Sequence, residues 1–137
     1  MLGEEIWNGS GQTTGTRILP GDDFRYIKME VSIDGTGKAL GADARNVGTF
    51  TAFERVPGQM YAEGQGIIMT ADGESAIWNG HGVGRPTGDG MGMAIRYSVA
   101  YQASPTGKLA ALNGVLGVGE FDSRADGSWS DKTCEWK

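Results

Sequence analysis

The stretch that decides the fold is Ile77-Trp78-Asn79-Gly80-His81-Gly82-Val83-Gly84-Arg85, which carries three glycines at alternate positions and the only histidine of the chain. Glycine costs about 1 kcal/mol relative to alanine inside a helix, so this density excludes a helix. An extended strand accepts these glycines, and alternate residues of a strand share one face. Trp78 and the glycines therefore lie on one face, and His81 lies in a mostly apolar row on the other. The pattern predicts a sharply bent strand.

Glycines spaced by two recur along the chain, which has 24 glycines in 137 residues. This is more than twice the average usage of about 7%. The other sets are Gly9/Gly11, Gly35/Gly37, Gly64/Gly66 and Gly117/Gly119. Each set leaves a gap on one face of its strand, and such gaps let a sheet coil as a small closed barrel requires. Two interpretations follow: the glycines serve geometry alone, or they also hollow the interior for a ligand.

Turn signals divide the chain into about eight segments with strand patterning. Asp72-Gly73 and Asp126-Gly127 have the composition of two-residue hairpin turns. The second segment, Phe24 to Ile33, alternates apolar and polar residues, and the sixth, Met91 to Ala103, has an unbroken apolar face. The seventh is Lys108 to Phe121, and no segment has a convincing helical pattern.

Long strands joined by short turns are typical of an up-and-down antiparallel sheet. Eight such strands close into a barrel that is filled by side chains or holds one small ligand, and closure removes both exposed edges. The sequence therefore predicts an all-β fold, an eight-stranded antiparallel up-and-down barrel that forms a single domain over residues 1–137. The patterning leaves open whether Glu5 to Leu19 closes the barrel or packs on a neighbour.

Charge and cysteine content exclude several classes of function. The net charge of −5 argues against nucleic acid and anionic membrane as partners, because both require a basic surface. The single cysteine, Cys134, has no intramolecular partner, which favours a reduced, cytoplasmic protein. The first residues lack the pattern of a signal peptide, and no apolar run approaches the roughly 18 residues of a membrane helix.

His81 and Glu54 are the candidate catalytic residues. A histidine inside a barrel acts as an acid or a base near neutral pH, although it can equally serve as a structural hydrogen-bond partner. Glu54 shares a face with Phe50, Ala52 and Val56. A carboxylate in such a row lies either at the barrel mouth or in the interior, where its pKa would rise.

Tyr97, Tyr101 and Asn113 are the candidate ligand-binding residues. Both tyrosines fall on the apolar row of the sixth segment, and Asn113 lies in the otherwise apolar seventh segment. They are equally compatible with a packed core. No metal site is predicted, since structural zinc takes four His or Cys ligands and the chain has one of each. No phosphate-binding or dinucleotide motif is present, so we expect no cofactor.

The segment Thr106-Gly107-Lys108-Leu109-Ala110-Ala111-Leu112-Asn113-Gly114, continued by Val115 to Glu120, resembles a late strand of the allene oxide cyclase and dirigent barrel superfamily. In that superfamily the strand starts with a Gly-x-Leu/Phe turn and reaches a glycine several residues on. Val47 to Gly66 looks like the middle of its small, uncharacterised bacterial members, and the resemblance spans roughly residues 24 to 137. It implies an eight-stranded barrel with an apolar cavity, often in an oligomer. It implies no reaction, because no catalytic residue of the cyclases or dirigent proteins is matched here.

The leading hypothesis is a protein that binds a small apolar organic molecule in the barrel cavity. The alternative is an isomerase or cyclase that holds a reactive apolar substrate in one conformation, with His81 or Glu54 moving a proton. A third possibility is a filled barrel that works by assembly through an outer face. Convergence of Glu54 and His81 beside an open cavity would favour catalysis. We also expect a homo-oligomer.

Overall fold

A computed structural model describes residues 1–23 and 26–137. Its eight strands are β1 (Leu2–Leu19), β2 (Lys28–Ala39), β3 (Ala42–Val56), β4 (Gln59–Thr70), β5 (Ser75–Pro86), β6 (Met93–Ala103), β7 (Leu116–Ser123) and β8 (Ser128–Trp136). The predicted start of the second strand, Phe24, lies outside the described residues. None of the described helices is long and apolar enough to cross a bilayer.

The strands form a closed antiparallel barrel in chain order, which confirms the predicted fold class. Strand β1 pairs with β2 along one edge and with β8 along the other. The segment Glu5 to Leu19 therefore closes the barrel. A register shift in β1 between Thr13 and Gly15 marks the irregularity at which the long strand adjusts to its neighbour.

The period-2 alternation of each strand separates the interior from the outer surface. In β6 the inner row is Met93, Ile95, Tyr97, Val99 and Tyr101, which pack in or against the buried core. Met91, predicted to belong to this row, precedes the strand and is exposed. In β5 the inner face is that of Trp78 and the glycines, so the opposite face of the same strand lies on the outer surface.

A short 3₁₀ helix, Lys108–Gly114, covers one end of the barrel. This corrects the prediction that the seventh strand begins at Lys108. Leu109 and Leu112 of this helix are each only 1% exposed and belong to the main core cluster. Glu74, from the β4–β5 turn, accepts a hydrogen bond at 3.2 Å from the backbone N–H of Leu109. Two buried leucines and one side-chain acceptor therefore hold this end closed.

We expect Leu112→Ala to lower the free energy of unfolding by about 2–5 kcal/mol, because it removes a fully buried side chain and leaves a cavity. Urea unfolding followed by tryptophan fluorescence measures the change. The matched control is Leu116→Ala, since Leu116 is 47% exposed at the start of β7. Its expected effect is within about 0.5 kcal/mol. Equal stability of the two variants would show that the helix does not cover the core.

Candidate functional site

Aromatic rings fill the gaps that the glycine pairs leave inside the barrel. A Cβ atom placed on Gly48 or Gly66 would lie 2.5 Å from the ring of Trp78. A Cβ at Gly9 would overlap the ring of Trp7, and one at Gly119 the ring of Tyr97. The glycines thus do more than bend the sheet, because they make flat recesses in which large rings lie.

This packing fixes how the rings are presented. At these glycines the rings approach the strand backbone more closely than any residue with a Cβ would allow. The ring of Trp78 is also anchored at one edge, where Nε1 donates to Oδ1 of the buried Asn46 at 2.9 Å. Trp7, Trp78 and Tyr97 are therefore held against the barrel wall, and all three line the cavity at its centre.

The centre of the barrel contains a cavity of about 80 Å³. Its lining is mostly aromatic and aliphatic, and includes Trp7, Phe50, Trp78, Tyr97, Tyr101 and Phe121. A single water requires about 10–15 Å³ of such space, so the cavity has room for several waters or for one small organic molecule. An edge-to-face contact between Phe50 and Phe121, with ring centroids 5.5 Å apart, separates it from a second pocket of about 150 Å³.

One wall of the central cavity is polar. The hydroxyl of Tyr97 lies 2.7 Å from Oδ1 of Asp131 and 2.6 Å from Oγ1 of Thr133. All three residues line the cavity, together with Tyr101. Asp131 and Thr133 are alternate residues of β8 and therefore face the same side. Tyr97 joins β6 to β8 across this wall, and the four residues are called the Asp131 cluster below.

Burial dominates the acid–base properties of the Asp131 cluster. Desolvation raises the pKa of Asp131 from 3.8 to about 7, although hydrogen bonds from Tyr97 and from the backbone of Lys132 oppose the shift. Desolvation likewise raises the pKa values of Tyr97 and Tyr101, so both phenols stay neutral at physiological pH. Asp131 is therefore a half-buried carboxyl group whose pKa is raised toward neutrality, and such perturbed groups cluster at functional sites.

Two indole N–H groups have no hydrogen-bond partner among the described residues. They are Nε1 of Trp7 and Nε1 of Trp129. Trp7 lies near enough to Asp131 to lower its pKa, but does not reach hydrogen-bonding geometry. Trp129 is fully buried and stacks on Phe121 with centroids 5.5 Å apart. Buried donors of this kind are uncommon in folded proteins, and the one beside the cavity is available to a ligand.

The structure places His81 on the outer surface. Its side chain is exposed, and its ring packs edge-to-face on Tyr61 with centroids 6.4 Å apart. The reason is the register of β5, in which Trp78 and the glycines occupy the inner face. His81 pairs with Glu63 of β4 and Ser98 of β6 in the sheet, and the Ser98 hydroxyl donates a hydrogen bond at 3.5 Å to the backbone carbonyl of His81. The side chain of His81 therefore lies on the outer face of β5, where the residue borders the cavity, and its catalytic role stays a prediction.

Glu54 and Asn113 make structural contacts at opposite ends of the barrel. A carboxylate oxygen of Glu54 accepts a hydrogen bond at 2.8 Å from the backbone N–H of Gly58 in the β3–β4 turn. Asn113 lies in the 3₁₀ helix and not in a strand, where it accepts from the backbone N–H of Ala103 at 2.8 Å and donates to the carbonyl of Ser104 at 3.3 Å. Glu54 and His81 do not converge inside the barrel, which is the arrangement that would have favoured their joint role in catalysis.

Of the predicted site residues, Tyr97 and Tyr101 face the cavity from β6, and His81 borders it from the outer face of β5. The sequence analysis missed Asp131, Thr133 and Trp7, which complete its polar wall. A signal for Asp131 was present, since it lies two residues after the fully buried Trp129 on the same face of the last strand.

The described residues contain no group of three or more His, Cys, Asp or Glu side chains arranged to hold a metal ion.

No protein-family model matches the chain, and a search of curated proteins gave no match. Solved structures show the same fold. A protein of unknown function from Clostridium acetobutylicum ATCC 824 has a TM-score of 0.80 at 11% identity, covering 99% of this chain and 98% of that one. A beta-barrel-like protein from Acinetobacter baumannii AYE has a TM-score of 0.80 at 15% identity, covering 100% and 96%. A conserved protein of unknown function from Rhodopseudomonas palustris has a TM-score of 0.76 at 14% identity, covering 99% of both chains. At these identities the comparisons show that this chain has the fold of uncharacterised beta-barrel proteins.

Proposed function

We propose that this protein binds a small, largely apolar organic molecule in the central cavity of the barrel. The observation that carries the proposal is a cavity of about 80 Å³ with aromatic walls and one cluster of polar groups, Asp131, Tyr97, Tyr101 and Thr133. Small-molecule sites have this composition, because apolar walls supply affinity and a few polar groups fix orientation. Membership of the allene oxide cyclase and dirigent superfamily, a cytoplasmic location and a homo-oligomeric state are parts of the same proposal.

Filling the cavity tests the proposal directly. We expect Ala62→Leu to reduce the binding of toluene at least tenfold, since Ala62 is buried and lines the cavity. Ligand-observed NMR with saturation transfer measures the binding, and Ala62→Val provides a smaller filling if the leucine variant unfolds. The control is Ala100→Leu, which adds the same volume on the exposed face of β6. Equal toluene binding by the wild type and the Ala62 variants would place the apolar site elsewhere.

The ligand itself is sought in protein purified from its expression host. Native mass spectrometry gives the subunit count and the mass of any bound compound, and solvent extraction releases that compound for identification. A stoichiometric apolar compound supports the cavity proposal. Its disappearance in folded Ala62→Leu locates it in the cavity, whereas its retention there contradicts that location.

A second candidate function is isomerisation or cyclisation of an apolar substrate in the same cavity. The observation that favours it is Asp131, a half-buried carboxyl group with a pKa of about 7 beside a substrate-sized space. With the extracted compound as substrate, we would follow deuterium incorporation from D2O by NMR. Exchange at one carbon in the wild type and its loss in Asp131→Asn would support catalysis, and binding without exchange would favour the binding function.

A further inference from the structure

Asp131 is the only ionisable side chain other than tyrosine that faces the cavity from the described part of the chain. The lining contains no lysine or arginine. Glu63 and His81 also border this space, but both are exposed residues on the outer faces of β4 and β5. A buried carboxylate normally has a cationic partner, because an unpaired charge is costly to remove from water. Residues 1–23 and 26–137, which the structure describes, supply none to Asp131.

The walls around Asp131 are suited to a cation. An aromatic ring carries partial negative charge on its face, and a desolvated cation over that face is attracted to it. Trp7, Trp78 and Tyr97 pack on glycine recesses and line the cavity with their aromatic rings. The glycines at positions 9, 48, 66 and 119 thus make the space in which these three rings surround a ligand.

The remaining contacts of Asp131 preserve its ability to carry charge. Tyr97 donates a hydrogen bond to its carboxylate at 2.7 Å, and the backbone N–H of Lys132 and the indole of Trp7 favour its ionised form. These donors stabilise an anion but contribute no formal positive charge. A ligand that brings one positive charge would complete the electrostatic pairing.

We propose that the ligand is a small organic cation with alkyl groups on its nitrogen, held between the Asp131 carboxylate and the ring faces of Trp7, Trp78 and Tyr97. This inference rests on the proposed binding function and names its ligand class. Alkyl groups match the apolar walls, and a few non-hydrogen atoms match a volume of about 80 Å³. A compact hydrated inorganic ion would lose its water without gaining apolar contacts.

A pair of nearly isosteric probes separates charge from shape. Choline and 3,3-dimethylbutan-1-ol differ in that a quaternary nitrogen replaces a quaternary carbon. We expect choline to bind at least about tenfold more tightly than the alcohol at pH 8.5, as measured by isothermal titration calorimetry, since only choline gains from the carboxylate and the ring faces.

The pH dependence identifies the anionic partner, because choline has no group that titrates in this range. Titratable groups around Asp131 are Tyr97 and Tyr101 from β6 and Asp122 from β7. Both tyrosines remain neutral because burial raises their pKa values, and Asp122 is paired on the outer face with Arg96 at 3.1 Å. With an Asp131 pKa of about 7, choline affinity is expected to be about 30-fold lower at pH 5.5 than at pH 8.5, whereas that of the alcohol should not fall.

Asp131→Asn should reduce choline affinity at least tenfold at pH 8.5, remove its pH dependence, and leave binding of the alcohol intact. The matched control is Asp43→Asn, which makes the same chemical change at an exposed residue of β3 outside the cavity lining and should bind choline as the wild type does. Circular dichroism confirms that both variants are folded.

Three outcomes would overturn the cation proposal: choline binding no tighter than the alcohol, choline affinity independent of pH, or equal losses in the two variants. Binding of the alcohol in the cavity would still support the proposed function. If neither probe binds and toluene binding is also absent, the proposed function fails together with the inference.

Discussion

Asp131→Asn is expected to make the unliganded protein more stable at pH 8, by as much as about 4 kcal/mol. The folded protein raises the pKa of Asp131 from 3.8 to about 7 by burying the group. Between these two values the folded state holds a proton that the unfolded state has released, so stability falls as the pH rises. The difference between these two pKa values corresponds to the expected gain of about 4 kcal/mol, since one pKa unit is worth about 1.4 kcal/mol. Asparagine avoids this cost because its amide stays neutral.

Urea unfolding from pH 4 to pH 9 measures the effect. The wild type should lose stability as the pH rises from about 4 to 7 and then level off, whereas Asp131→Asn should lack this fall. Asp34, Asp72 and Asp126 have lowered pKa values from hydrogen bonds at the surface, so their effects lie below pH 4 and outside the window. Glu63→Gln, at the outer surface, should follow the wild type. A wild-type stability that rises between pH 5 and 7 would contradict the burial of Asp131.

This expected cost bears on function. Near neutral pH the carboxyl group of Asp131 destabilises the empty protein, so a neutral residue at this position would serve folding better. A bound cation would recover the lost stability, since a ligand that binds only the folded state shifts the equilibrium toward it. Choline should therefore protect the wild type from urea more at pH 8 than at pH 5.5, and should not protect Asp131→Asn.

The fold was predictable because its signals are local and repeated. Turn pairs such as Asp126-Gly127 and the alternation in the sixth segment fix strand number and direction without knowledge of long-range contacts. The 3₁₀ helix was missed because glycines on both sides of Ala110 to Leu112, from Gly107 to Gly119, argue against a helix there. Its identity depends on Leu109 and Leu112 covering the barrel end, which is a tertiary contact.

The site was less predictable, since it depends on which face of each strand is inside. His81 was singled out as the only histidine, yet Trp78 and the glycines of the same strand occupy the inner face. The prediction thus relied on His81 being the only histidine and not on the alternation that decides which face of the strand is inside. In the sequence, Asp131 is one of many Asp and Glu residues, and its residue type does not distinguish it. It is enclosed only because β8 pairs with β1 and β7. Alternation from Trp129 would have placed it correctly.

Gly82→Ala is expected to lower the free energy of unfolding by more than about 3 kcal/mol. A Cβ atom at Gly82 would lie within 3.0 Å of the carbonyl oxygen of Arg96 and of the Cα and Cβ atoms of Tyr97. Two of these atoms belong to the backbone of the paired strand β6 and cannot rotate away. Overpacking of a core commonly costs 1–3 kcal/mol, and a clash with backbone lies at or beyond the upper end of that range.

Gly15→Ala is the matched control, because a Cβ atom at Gly15, also within a strand, would meet nothing within 4 Å. Gly15→Ala should leave the free energy of unfolding unchanged or raise it by up to about 1 kcal/mol, because alanine makes the unfolded chain less flexible. Urea unfolding compares the two variants with the wild type. Because the clash at Gly82 also displaces Tyr97, the surviving folded fraction of Gly82→Ala should bind choline more weakly than Gly15→Ala does. Equal stability of the two variants would contradict the close approach of β5 and β6 at Tyr97. It would also contradict the placement of the Tyr97 ring against the cavity wall.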